Sequence, residues 1–164
     1  MDERIEVLDA GIYFKRAHVI LFHLLKALQD DEQMKGRLGC MLHVASPTGV
    51  PVALFTVGVI GSAQQSKCSR FAQEKALRLG LLAQYAGHRL SRQSADKDLE
   101  RYPGAVLGHR LIHSTSAFPA DVDEMYSAAQ GIAMDDLNTG EARILVKHAN
   151  SYFDRLEFLF DLTW

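Results

Sequence analysis

This sequence lacks the features that mark several specialised classes of protein. It has only two cysteines, Cys40 and Cys68, which could form at most one disulfide and lie in no spaced metal or redox motif. It has no basic excess either, because 18 lysines and arginines are set against 20 aspartates and glutamates, for a net charge of −2. Since binding to a phosphate backbone requires such an excess, we expect no nucleic-acid partner.

Long apolar runs are also missing. The longest, HVILFHLL at 18–25, is interrupted by histidines and is far shorter than the ~20 residues needed to cross a bilayer. The first ten residues, MDERIEVLDA, open with acids, where a signal peptide has a basic segment and then an apolar one. We therefore expect no membrane partner and a cytoplasmic location.

What remains is an ordinary globular composition. Hydrophobic residues make up 48% of the 164 positions and charged residues 23%, which is enough apolar material for one compact core. There is no internal repeat, low-complexity tract or linker. We predict a single domain over residues 1–164.

The first half of the chain has the pattern of a helix followed by a hairpin. Apolar residues at helical spacing predict a helix over about 10–30, with Asp9 as its N-cap. LGCMLHVA at 38–45 is typical of a strand, and Ser46 to Gly49 of a type I turn. The second arm, VPVALFTVGV, is apolar almost throughout, which predicts a strand buried on both faces.

The second half predicts a long helix, a strand and further helices. Ser62 or Ser66 could cap the long helix, which should end near His88, and 91–104 reads as a loop or short surface helix. AVLGHRLIHSTS at 105–116 predicts one strand, and Pro119 marks the start of a helix. The tail fits a helix better than a strand, although LEFLFDLTW alternates as a strand would.

The seven histidines are not spaced for a metal site. His18 and His23 would lie about 140° apart around a helix. His109 and His113 would lie about 13 Å apart on one strand face, too far to share an ion. No HExxH or paired CxxC is present, so we predict no metal centre.

One local arrangement favours an anionic ligand. In VGVIGSAQQSKCSR, glycines end a strand and serines open a helix, and Lys67 and Arg70 follow in its early turns. Free N–H groups and the helix dipole at such a point can bind a carboxylate or phosphate. Ordinary helix capping by Ser62 or Ser66 explains the same residues, so the sequence is compatible both with an anion site and with a simple helix cap.

Catalytic machinery is not recognisable. There is no GxSxG motif, and no serine or cysteine has a histidine and an acid at a spacing that identifies a partner. Asp121, Asp123 and Glu124 are acids of the kind that helix N-termini favour on electrostatic grounds alone. We predict no catalytic residues and do not expect an enzyme.

Three phrases resemble one family. VASPTGVPVALFTVG resembles the V-D-x-x-G-x-P-V-A hairpin of the GlcG/haem-binding-protein (HbpS-like) family, also called the haem-degrading-domain family, which includes the PduO C-terminal domain. SRFAQEKALRL resembles its next helix, with Lys75 and Ala76 at the K-A pair. GAVLGHRLIHSTSAFPADVDEMYSAAQGI resembles its closing strand, P-x-x-D-E motif and final helix.

The resemblance covers about 12–133 and leaves 134–164 as a C-terminal extension. It implies an α/β (α+β), profilin-like fold with a central antiparallel sheet and helices on both faces, in a family that is frequently oligomeric. The sequence departs from the family at RQSADKDLERYPG, where a glycine-rich G-G-x-P-I segment is usual. It also departs at His109, Arg110 and His113, which replace small residues.

Two functions follow as hypotheses. In the first, the chain is a binding or sensing domain for haem or a small anionic metabolite; His43, His109 or His113 contact the ligand, and Ser66, Lys67 and Arg70 hold a carboxylate. For haem, one histidine would be the axial donor. In the second, no small molecule binds, and the apolar helices and tail aromatics build a homo-oligomer; these aromatics are Tyr152, Phe153, Phe158, Phe160 and Trp164.

Overall fold

The computed structural model describes residues 8–164, so most of the acidic N-terminal stretch lies outside the described residues. The helices are α1 (Ala10–Ala27), α2 (Ser62–Ala86), α3 (Ala120–Ala133), α4 (Thr139–Val146) and α5 (Phe153–Leu156). The strands are β1 (Leu38–Ala45), β2 (Pro51–Val59), β3 (Ala105–Leu107) and β4 (Ile112–Ser116). Short 3₁₀ helices occupy Glu32–Met34, Ser91–Ser94 and Glu157–Asp161.

The four strands form one antiparallel sheet in the order β2-β1-β4-β3, with helices on both faces. Alternating β4 side chains show which helix covers which face. Ser114 donates to the Ala72 carbonyl of α2 at 2.7 Å, whereas the Thr115 hydroxyl lies 2.7 Å from that of Ser127 in α3. α1 packs beside α3 on the second face. The predicted α+β fold with a central antiparallel sheet is confirmed.

The sequence correctly predicted α1, β1 and the turn that follows β1. The Asp9 carboxylate accepts a hydrogen bond from the Ile12 N–H at 3.0 Å, as an N-cap should. β1 spans the predicted residues, and the Gly49 N–H donates to the Ser46 carbonyl at 2.9 Å. Gly49 adopts a φ of 89°, which a residue with a Cβ adopts only under strain.

The prediction that β2 is buried on both faces is wrong. β2 lies at the edge of the sheet and pairs only with β1. Val52 is 50% exposed, Leu54 43% and Val59 73%. A continuous apolar run is typical of a central strand, but here it belongs to an edge that pairs with no further strand among the described residues, and only the Gly58 N–H at its end donates to His18, at 3.4 Å.

Residues 105–116 form a hairpin and not the single strand predicted. The Gly108 N–H donates to the Leu111 carbonyl at 2.9 Å, and the Asp136 carboxylate accepts from the N–H groups of Arg110 (2.7 Å) and Leu111 (3.1 Å). A Cβ on Gly108 would lie 2.6 Å from Asp136 Cγ, so this approach requires glycine. The carboxylate that shapes the turn lies 25 residues further along the chain, beyond the reach of a local pattern.

α2 begins and ends at glycines. Its N-cap is Gly61, with no side-chain hydrogen bond, so the predicted capping by Ser62 or Ser66 is wrong. Gly87 ends the helix in the left-handed conformation, φ 66°, close to the predicted end. The buried side of α2 carries Lys75 within a stripe of small and apolar residues, Cys68, Ala72, Ala76, Leu79 and Gly80, and Arg78 is also buried.

The C-terminal tail is helical, as the sequence analysis predicted in preference to a strand. α4 and the last 3₁₀ helix pack against α3, and α5 and the same 3₁₀ helix contact α1. Their aromatic side chains pack mainly into the core of this same chain: Tyr152, Phe153 and Phe160 are buried, while Phe158 and Trp164 are partly exposed. Among residues 8–164, no helix has the length and apolar character needed to span a membrane.

Candidate functional site

A cleft of about 690 Å³ lies between α2, the end of β4 and the start of α3. The 3₁₀ helix at Glu32–Met34 and the loop around 97–102 complete its walls. Its floor is buried and its rim is exposed. The volume is within the range of roughly 300–1,000 Å³ that is usual for small-molecule sites.

The floor holds a buried ion pair. Lys75 extends from the buried stripe of α2, and its Nζ lies 3.1 Å from Asp123 Oδ2 and 2.8 Å from the Thr115 carbonyl oxygen. The Phe118 N–H donates to the other Asp123 oxygen at 3.0 Å. Burial raises the pKa of Asp123 to about 6, although the Lys75 ammonium acts to lower it.

The backbone beneath this pair has unusual conformations. Gly104 adopts a φ of 132°, and a Cβ there would lie 2.6 Å from Lys75 Nζ, so only glycine leaves room for the ammonium. Ala117 adopts a φ of 146°, a conformation that costs a non-glycine residue about 1–3 kcal/mol. The Ala117 carbonyl accepts a hydrogen bond from Arg37, so a cleft cation helps to hold this conformation.

The rim adds further positive charge. Arg37, Lys67 and Lys97 are exposed there, with one acid, Glu100. Counted with the floor pair, four cationic groups stand against two acids, a formal excess of two positive charges in a chain whose net charge is −2. Within the described part of the chain, Lys67 and Lys97 form no ion pair.

Aromatic rings and a thiol form the less polar walls. Phe71 and Tyr102 meet edge to face with ring centroids 5.5 Å apart, and Phe118 also lines the cleft. Burial raises the pKa of the Cys68 thiol, so Cys68 is a packing residue here and not an activated nucleophile. The cleft can therefore hold an anionic group near its cations and an apolar or planar group against the rings.

Of the predicted carboxylate-binding residues, only Lys67 lines the cleft. Ser66 is exposed on α2 beside it. The Arg70 guanidinium lies over the Phe71 ring, 5.1 Å from its centroid, and does not line the cleft. The structure therefore brings Lys67 together with Arg37, Lys75 and Lys97 and leaves Ser66 and Arg70 outside the cleft.

The three predicted histidines lie in separate surroundings. His43 is paired with Ser114 on the sheet face that α2 covers, whereas His113 belongs to the opposite face and contacts α1. His109 is in the β3–β4 turn, with Nε2 3.1 Å from a Glu141 oxygen. None of the seven histidines, all of which lie in 8–164, lines the cleft.

His113 is the centre of a second buried polar cluster. Its Nδ1 lies 2.6 Å from the Tyr13 hydroxyl and its Nε2 lies 2.9 Å from Asp136 Oδ2. Burial opposes ionisation of Asp136, but the hydrogen bond and charge of His113 and two backbone N–H groups outweigh it, and the pKa of Asp136 is lowered. With both ring nitrogens bonded, His113 joins α1 to β4 and to the segment after α3.

The other acids at the start of α3 also have structural partners. Arg92 pairs with Asp121 and, at 3.1 Å, with the buried Glu124. Asn150 donates to Glu124 at 3.0 Å, and the Ser151 N–H donates to Asp121 at 2.9 Å. These contacts attach the 91–94 turn and the tail to α3.

The sequence analysis missed Arg37, Lys75, Lys97 and Asp123 as parts of one site. One signal was available for Lys75, since it lies at a position of the α2 pattern that would otherwise be apolar and so needs a buried counter-charge. Across 8–164, no three His, Cys, Asp or Glu side chains are placed to hold a metal ion. No family model, curated protein or solved structure matches this chain.

Proposed function

We propose that this protein binds a small organic anion, a carboxylate or a phosphate ester, in the cleft between α2 and α3. The observation that carries the proposal is the formal excess of two positive charges in a cleft with a buried floor. Lys67 and Lys97 have no counter-ion among residues 8–164, and an anionic ligand would supply one.

The floor contributes a further donor. A lysine ammonium has three N–H donors, and Lys75 has two acceptors, the Thr115 carbonyl and Asp123. A ligand oxygen above the ammonium would take the third. Because Lys75 is held at both acceptors, this donor is oriented before the ligand arrives, which lowers the entropy cost of binding.

The rest of the ligand would contact the rings of Phe71, Tyr102 and Phe118. An anion with an apolar or planar part fits such a wall better than an inorganic ion does. Haem is less well supported at this cleft, because no histidine lines it to ligate the iron. We therefore favour a small anionic metabolite over haem.

Thermal unfolding with added ligands tests the proposal. We would measure Tm with citrate, pyrophosphate and a nucleoside monophosphate, and record haemin binding by absorbance. A ligand at 100 times its Kd adds about 2.7 kcal/mol, which corresponds to a rise of roughly 5–10 °C for a domain of this size.

The variants are Lys67→Gln with Lys97→Gln, and the matched control is Lys26→Gln with Lys147→Gln, which removes the same charge from exposed positions elsewhere. We expect the cleft pair to lose most of the Tm rise and the control to keep it. The proposal is wrong if none of these anions shifts Tm, or if both pairs respond alike. A saturable haemin spectrum that is lost on His43→Ala would favour haem instead.

A further inference from the structure

We propose that β2 is a dimerisation edge, at which a second copy of this chain adds its own β2 in antiparallel orientation to make an eight-stranded sheet. β2 is nine residues long and pairs on one side only. An edge strand presents unpaired N–H and C=O groups, and proteins usually protect such an edge with charges, bulges or a covering segment. The stretch VPVALFTVGV at 50–59 contains no charged residue, and the one register shift in its pairing with β1 lies at its beginning, opposite Val44 and Ala45.

The opposite edge of the sheet is protected. β3 has only three residues, and its outer side is covered by the segment before the 91–94 turn. The Leu107 N–H donates to the Arg89 carbonyl at 2.9 Å, and Leu90 forms a bridge with Val106. One open edge and one covered edge favour a closed pair, because a two-fold axis at β2 leaves no second edge for further strands.

Both faces of β2 carry exposed apolar side chains that the partner would cover. On the α2 face, marked by the bond from Gln65 to Thr56 at 2.8 Å, is Leu54, beside Leu77 of α2. Val52, at the register shift in the pairing with β1, and Val50, just before the strand, are exposed next to them. On the α1 face, marked by the stacking of Phe55 on Tyr13, are Val59 and the α1 residues Phe14 and Phe22. The strand and both flanking helices therefore form one apolar surface.

The size of this surface suits a dimer. Its seven apolar side chains are each about 40–70% exposed and together present on the order of 600 Å² per copy. With the backbone of β2, this approaches the ~800 Å² per partner of a standard interface. Phe14, Val19 and Phe22, together with Lys15 and His18, also line a groove of about 550 Å³ on α1, against which α1 of the second copy would lie.

A second copy fits better than an unrelated strand. The strand has no charge by which to select a foreign partner, whereas antiparallel pairing about a two-fold axis matches each apolar face with itself. Pro51 and the register shift at Val52 near the beginning, and Gly58, with φ 75°, near the end, limit regular pairing to 53–57. Five residues span about 17 Å.

Sedimentation equilibrium of the full chain at 1–100 μM tests the pairing. We expect a mass of twice 18.3 kDa for the unsubstituted protein. Leu54 is next to the middle of β2, so Leu54→Lys puts two ammonium groups near the axis and should weaken the dimer roughly 100-fold or more. Ile144→Lys, at an exposed apolar position on α4, is the control and should leave the dimer intact.

A monomer at 100 μM overturns the proposal, and so does a Leu54→Lys protein that still dimerises as well as the control. Hydrogen exchange of the unsubstituted protein gives a measurement that does not depend on a variant folding. We expect the amides of 53–57 to exchange more slowly at 100 μM than at 1 μM. Equal exchange at both concentrations would show that β2 is not the contact, even if the protein is a dimer.

Discussion

The Tyr13 hydroxyl lies 2.6 Å from His113 Nδ1 although the two residues are 100 positions apart, and both side chains are fully buried. Through His113 Nε2 the chain of hydrogen bonds continues to Asp136, whose carboxylate also holds the β3–β4 turn. This polar cluster joins the first helix, the sheet and the segment after α3. It has a structural role that predicts how the protein responds to substitution.

Asp136→Ala should destabilise the fold by about 3 kcal/mol or more. The substitution leaves two backbone N–H groups and one buried imidazole nitrogen without their acceptor. Urea denaturation measures the free energy of unfolding. Asp154→Ala, at an exposed position, is the control and should change it by less than about 0.5 kcal/mol. Equal effects of the two would show that the cluster adds no stability.

Because the pKa of Asp136 is lowered in the folded chain, its contribution to stability is present above the unfolded value near 3.8. That contribution is lost as pH falls through the lower, folded pKa. Asp136→Asn should therefore flatten the loss of stability below about pH 4. An unchanged acid limb in Asp136→Asn would contradict this assignment.

Asp123 should titrate near pH 6 in the folded protein. Its pKa is raised above the unfolded value of 3.8, so its contribution to stability is present below that value and is lost as pH rises towards 6. The carboxyl ¹³C shift of Asp123 measures the midpoint directly. Lys75→Met removes the opposing ammonium and should move the midpoint higher, and a midpoint near 4 in the unsubstituted protein would show that the ion pair outweighs burial.

His43→Leu should leave stability at neutral pH unchanged or raise it by up to about 1 kcal/mol. The His43 side chain is buried, and its Nδ1 has no hydrogen-bond partner among the described residues. Burial lowers the pKa of His43 below 6.5. As pH falls through that value, the unfolded chain takes up a proton that the folded chain does not, so stability is lost. The variant should lose this dependence, measured by Tm at pH 5 and 7, whereas the exposed control His148→Leu should keep it.

Gly80→Ala should destabilise the protein, although alanine is the better helix former by about 1 kcal/mol. A Cβ on Gly80 would lie 2.6 Å from Gly49 Cα, because the turn between β1 and β2 packs directly on this point of α2. Gly140→Ala in α4, where the nearest atom is 3.6 Å away, should be neutral or stabilising. Opposite signs of the two changes in Tm are expected, and a stabilising Gly80→Ala would contradict the close packing.

The sequence was sufficient wherever structure is set by neighbours along the chain. Asp9 caps its helix through a residue three positions away, and the turn at Ser46–Gly49 closes on itself. Burial of β2 depended on its place in the strand order, which no local pattern records. The hairpin after Gly104 depended on Asp136, and Gly80 weakens α2 locally but is required by a turn 31 positions earlier.

The candidate site likewise contains one residue that the local sequence predicts and others that only the fold brings together. Lys67 was found because it follows a glycine-rich helix start, but Arg37, Lys97 and Asp123 come from elements far apart in the chain. They come together where the segment after α1 and the loop around 97–102 meet the start of α3. The histidines were predicted as ligand contacts from their side-chain chemistry alone, whereas the fold places His43 and His113 on opposite faces of the sheet.

The alkylation rates of the two buried cysteines would report how often the folded structure opens. Burial raises the pKa of both thiols, so neither provides a reactive thiolate at neutral pH while the chain is folded. Cys40 lies within the interior strand β1, and alkylation there requires the sheet to unfold. Cys68 borders the cleft, so its alkylation rate follows local separation of α2 from the end of β4, and an anion bound above Lys75 would slow modification of Cys68 while leaving Cys40 unaffected.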